Sequence, residues 1–327
     1  MHPTRTVWYF FILCLVNIFA AGLIQAAGGY AGLVISQVLF FLLPAIWIAK
    51  RRGGVLEFLR IKEVPVSAFF WAFLLSVLAI PISTFVNAIV ILVFEQLGMQ
   101  HFVSLDVTEA TLSPAIMLII FAVVPGICEE LMFRGMFLRS LDEKLPLKTA
   151  IILSSVFFGI IHFNIYNFLS PVYLGILFSL LVHIYDSIIP AILGHTFFNA
   201  IVYYVQMTVS VPEEAASELT LTNVIELAPM TLLAIVSTLF ILRRLYQRKK
   251  MNQELIPVGE VEADMEMLER RWEEIPLDVD DYREEKEQQP QTFAKLPGSA
   301  WVPLILSVAL FGAMVALMER VLRMMNV

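Results

Sequence analysis

The sequence predicts an all-α fold: a polytopic bundle of transmembrane helices, with about eight core helices and one extra C-terminal span. Two observations carry this. Hydrophobic residues make up 59% of the 327 and charged residues only 16%, where soluble domains run at roughly 45–50% and about 25%. The apolar residues also come in long runs of the roughly 20 residues that an α-helix needs to cross a bilayer, not in the short alternating segments of a β-barrel.

Nine hydrophobic segments follow in order, near residues 7–26, 31–49, 67–95, 112–139, 149–165, 168–185, 187–207, 224–242 and 300–318. The first has an Ala-rich tail, but its basic region is too thin and its apolar run too long for a signal peptide. Lys50, Arg51, Arg52, Arg60 and Lys62 follow the second segment. Arg139, Lys144 and Lys148 follow the fourth, and Arg243 to Lys250 follow the eighth. The opposite loops, 96–111 and 208–223, hold no Lys or Arg but carry Asp106, Glu109, Glu213, Glu214 and Glu218. This bias predicts a multi-pass protein of the cell membrane with a cytoplasmic amino terminus and an outside carboxyl terminus, Arg320 and Arg323 being a mild exception.

Three regions are expected. Residues 1–245 form the membrane-embedded domain, residues 246–298 an acidic cytosolic loop, and residues 299–327 a C-terminal transmembrane helix. Residues 251–298 contain 14 acidic and 5 basic residues, a net of −9 against −7 for the whole chain. Within them Val261, Met265, Leu268 and Trp272 recur at helical spacing and predict one amphipathic helix; a cytosolic partner for this loop is the alternative to simple solvation. So acidic a loop would repel a phosphate backbone, and no nucleic-acid partner is expected. Cys14 and Cys128 both sit in apolar runs and predict small buried hydrophobes.

Glu129 and Glu130 interrupt the fourth apolar run, with Arg134 closing EELMFR. Ionisable groups inside a membrane segment face a bundle interior or a wet cavity, and mark function by default. Residues four apart share a helix face, and Glu before Arg at that spacing is the favourable order. Glu130 and Arg134 can therefore pair, leaving Glu129 rotated by about 100° and free to face something else. A lone carboxylate in a low-dielectric pocket suits general acid or base chemistry near neutral pH.

FFGIIH supplies Phe158 and His162, and GHTFFN supplies His195 and Asn199, each pair one turn apart. His2 and His101 read as solvated, and His183, beside Asp186, as interfacial. At 1.5 Å per residue, Glu129, His162 and His195 lie roughly 15, 18 and 12 Å from the cytoplasmic ends of their helices. They reach a common level and can meet in one cavity.

EELMFR, FFGIIH and GHTFFN, in that order on successive segments, resemble the CPBP intramembrane proteases: the type II CAAX prenyl endopeptidases and their bacteriocin-processing or immunity relatives. The family pattern EExxxR, FxxxH, HxxxN falls on Glu129, Glu130 and Arg134, then Phe158 and His162, then His195 and Asn199, and the resemblance covers the core at about 110–205. It implies an endopeptidase that cleaves a small peptide or a lipidated protein within the lipid bilayer. Glu129, assisted by His162, would deprotonate the attacking water. His195 and Asn199 would donate to the oxyanion, and Glu130 with Arg134 would position Glu129. The family is often called a metalloprotease, and a Zn2+ held by Glu129, His162 and His195 is chemically reasonable. Glutamate-activated water without a metal is preferred, because His195 with Asn199 one turn on suits an oxyanion clamp.

Other classes fit less well. The chain has no HExxH and no Gly-x-Ser-x-Gly, and Asp186 lacks the Gly-x-Gly of a presenilin-like pair. A non-catalytic immunity or scaffold protein of the same fold is the alternative. A proton-coupled transporter is further off, because the matched, repeated halves it would need are not evident.

Overall fold

The computed structural model describes residues 1–99, 112–208, 219–254 and 295–324. Among these residues every regular element is helical, and the protein is a multi-pass membrane bundle with five helical stretches long and apolar enough to cross a bilayer. The amphipathic helix expected at 261–272 and the loops carrying Asp106 and Glu213 lie outside the described residues.

The first stretch, Pro3–Lys50, is a helical hairpin. Gly29 takes φ 53° and ψ −128°, a backbone that only glycine adopts readily, and it divides α1 (3–28) from α2 (30–50). The two arms return on each other: Gln25 Nε2 donates to Ser36 Oγ at 2.8 Å. A Cβ at Gly32 would lie 2.2 Å from Ile24 O. The first two predicted spans are therefore separate crossings joined by a glycine corner.

After the short α3 (Val55–Phe58) come α4 (Ser67–Gln96) and α5 (Pro114–Asp142). Then follow α6 (Leu147–Ile160), α7 (Leu169–Tyr185), α8 (Ile189–Thr208), α9 (Leu221–Glu254) and α10 (Gly298–Met324). The central element is α5, whose apolar window is 56% buried against 22% for α9 and for α10. Every residue from Cys128 to Leu138 except Glu129, which is 9% exposed, is sealed within the bundle or nearly so. Around it α7 packs on α6, and α8 packs on α4, α5 and α7; α9 covers α4, and α10 lies along α1. Aromatic rings fill the seams, as where Phe10 stacks on Phe157 with centroids 4.0 Å apart. Cys14 and Cys128 are free and buried.

One helix is shorter than its sequence suggests. The fifth segment was expected as a span over 149–165, with His162 on it, but α6 stops at Ile160. Its 14 residues reach about 21 Å, well short of the roughly 30 Å hydrocarbon core. Non-helical backbone at such depth is tolerated where protein or a cavity supplies its hydrogen bonds. Here Asn164 Oδ1 accepts from Tyr166 N at 3.0 Å and from Asn167 N at 3.2 Å.

The basic clusters gather at one end of the bundle. Arg52 pairs with Glu143, Arg60 with Asp142 at 2.9 Å, and Lys62 with Asp186. The Met1 ammonium adds a contact to Glu143 at 3.2 Å, and Lys249 Nζ donates to His183 O at 2.5 Å. These bonds tie the start of α1, the α2–α4 connection, and the α5–α6 and α7–α8 turns to α9.

Candidate active site

The site is assembled on α5 and α8, which approach backbone to backbone. A Cβ at Gly126 would lie 2.3 Å from Thr196 Oγ1 and 3.1 Å from Thr196 N. No side chain fits there, and this places Glu129 and Glu130, a turn further along α5, against His195. A run of wide π-type turns, Leu131–Leu138, follows directly; such turns recur inside helices at functional sites.

Glu130 and Arg134 pair as their spacing predicts, with Nη1 2.7 Å from Oε1, both groups almost fully buried. The same Oε1 lies 2.8 Å from His195 Nδ1. The guanidinium also sits over two rings, 4.3 Å from the Phe158 centroid and 5.7 Å from that of Phe178. Phe178 stacks against His195 at 5.8 Å, and Phe158 meets His162 edge-on at 5.0 Å. Glu130, Arg134 and two aromatic residues thus form a floor that orients both imidazoles.

Glu129 faces away from that floor into a cavity of about 250 Å³, whose polar lining includes Gln37, His162, Asn167, His195 and Asn199. Its Oε1 accepts a hydrogen bond from Gln37 Nε2 of α2 at 2.8 Å. Its Oε2 stands 4.0 Å from His195 Nε2, beyond direct hydrogen-bond range. Asn199 Nδ2 donates to Phe121 O at 3.3 Å, leaving its second hydrogen unassigned. The structure therefore brings Glu129, His162, His195 and Asn199 to one cavity and sets Glu130 and Arg134 behind it. Gln37 and Asn167 were not read from the sequence. Gln37 had a signal, an amide inside the apolar run of the second span.

The hydrogen bonds set the tautomers. His162 Nδ1 is 2.6 Å from Phe158 O, a group that can only accept, so Nδ1 carries the proton and Nε2 is presented with its lone pair. His195 Nδ1 likewise donates to the Glu130 carboxylate, so Nε2 bears a hydrogen only when the ring is an imidazolium.

Residues 111–201 match the family model described as Rce1-like, type II CAAX prenyl endopeptidase. Over this stretch the chain is similar to that family. The resemblance read from the three motifs is thereby supported, and the matched stretch contains all seven motif residues. No curated protein and no solved structure gives a match.

A zinc ion here would need Glu129, His162 and His195 to converge within about 2.0–2.2 Å of one point. Among the described residues no three His, Cys, Asp or Glu side chains are so grouped. One Glu129 oxygen is held by Gln37. As placed, the donor set does not fit a zinc centre.

Proposed function

We propose that this chain is an intramembrane endopeptidase acting on a prenylated or otherwise membrane-associated peptide. The observation that carries the reading is a buried carboxylate, two imidazoles and an amide facing one cavity from α5, α8 and the turn after α6. Glu129 accepts a proton from water while His162 Nε2 accepts the water's other hydrogen. The resulting oxygen nucleophile attacks the scissile carbonyl carbon. His195 Nε2–H and Asn199 Nδ2–H donate to the oxyanion, a contribution that typically dominates such chemistry. When the intermediate collapses, the C–N bond breaks and the Glu129 proton passes to the leaving amine. Gln37 holds Glu129 in register, and Glu130, itself held by Arg134, orients His195.

The cavity admits the scissile region of an extended peptide and leaves an isoprenoid or an apolar flank in the lipid. The cluster of Arg52, Arg60, Lys62 and Lys249 at one end supports a cell-membrane orientation with the amino terminus cytoplasmic.

The test compares membrane peptides by mass spectrometry in cells carrying the wild type or Glu129→Gln. Products present only with the wild type are expected, together with equal amounts of folded protein. Biological activity retained by Glu129→Gln would instead favour a scaffold. Cleavage that survives exhaustive chelation is expected, and its loss, with recovery on adding Zn2+, would restore the metal reading.

A further inference from the structure

The C-terminal helix α10 lies outside the stretch that matches the family, yet it reaches the loop carrying His162. Residues 161–168 cross from α6 to α7 without regular helix. Within them Phe163 takes φ 47°, a left-handed conformation that a bulky side chain holds only when its surroundings impose it. Both ends of the segment matter to the cavity, because His162 and Asn167 line it.

Much of what braces this loop comes from α10. The Phe311 ring stacks on Phe163 with centroids 6.5 Å apart and meets Phe168 at 5.5 Å. The Tyr166 hydroxyl donates to Glu319 Oε1 at 2.8 Å. On the other side, Asn87 Nδ2 of α4 donates to Asn167 Oδ1 at 3.1 Å. Tyr166 and Phe311 are 7% and 8% exposed, so these contacts are inside the protein. The geometry of α10 explains its reach. Ser299 meets Thr4 at 2.7 Å, which starts α10 beside α1 at the basic end. Glu319 then lies roughly 30 Å along the helix, past the end of the shorter α6.

We propose that α10 is a positioning element of the site: Phe311 and Glu319 hold the 161–168 loop in the conformation that presents His162 and Asn167 to the cavity. The consequence for catalysis rests on the hydrolase reading; the consequence for the loop does not. Neither α10 residue touches the cavity, so both act through Phe163, Tyr166 and Phe168.

The experiment uses the full chain in lipid nanodiscs, with hydrogen–deuterium exchange and cleavage of a farnesylated CAAX peptide read on the same samples. Phe311→Ala and Glu319→Ala should each raise exchange in 161–168 at least tenfold and leave α5 and α8 as protected as in the wild type. They should cut kcat about tenfold with KM within a factor of two. Glu319→Gln, which keeps an acceptor for Tyr166, should recover most of both. Unchanged exchange in 161–168 in both alanine variants overturns the proposal, as does loosening spread evenly over all helices. If the wild type cleaves no such peptide but the loop responds as stated, the hydrolase reading falls and the bracing role stands.

Discussion

His195 Nδ1 lies 2.8 Å from Glu130 Oε1, and the oxygen that receives it is also held by Arg134. One buried carboxylate thus joins α5 to α8 and decides which face of the imidazole looks into the cavity. Removing its charge leaves a buried guanidinium unbalanced, and breaking such a pair costs about 3–5 kcal/mol. Glu130→Gln should lower the thermal unfolding midpoint in detergent and abolish cleavage, whereas Glu129→Gln should lose cleavage with little change in midpoint.

Gln37→Leu keeps the volume of the side chain and removes the donor to Glu129. A hydrogen bond to a charged group is worth about 1.5–3 kcal/mol, so kcat/KM should fall by roughly ten- to a hundredfold. The loss should lie mainly in kcat, and steady-state kinetics on the variant checks it.

Gly126→Ala places a methyl group 2.3 Å from Thr196 Oγ1 and 3.1 Å from a backbone nitrogen. The backbone cannot swing aside, so α5 and α8 must part. Overpacking of this kind costs about 1–3 kcal/mol, and both the unfolding midpoint and the cleavage rate should drop.

Acid should weaken the basic end of the bundle. At Glu143, burial alone would raise the carboxyl, but the Met1 ammonium and Arg52 outweigh it and hold it below the usual carboxylate range. At Asp186, burial is likewise outweighed, by the Lys62 hydrogen bond and the charges of Lys62 and Arg60. A lowered folded-state pKa gives stability that is present above the unfolded value and lost as pH falls through the folded one. The unfolding midpoint should hold from pH 7 to 5 and decline below about pH 4. Glu143→Gln should flatten that decline, and Asp186→Asn should do so less, because Asp186 is 55% exposed.

Local periodicity made much of this molecule legible. The spacing of Glu130 and Arg134 foretold their pairing, and each of the nine apolar segments holds a helix, the fifth only as far as Ile160. What the sequence hid depends on partners distant along the chain. Gln37 meets Glu129 across 92 positions, and Tyr166 meets Glu319 across 153; no helical repeat encodes either. The fifth segment misled for a related reason. FNIYNF continues the apolar composition past Ile160, but Asn164 turns its amide onto the backbone, as Asn does in turns, and the helix ends.

The brevity of α6 has a consequence for the last span. With about 21 Å of helix in a hydrocarbon slab of about 30 Å, the depth beyond Ile160 has to be filled by protein, because backbone without regular helix cannot face lipid. Phe311, packed on Phe163 and Phe168, supplies part of that filling.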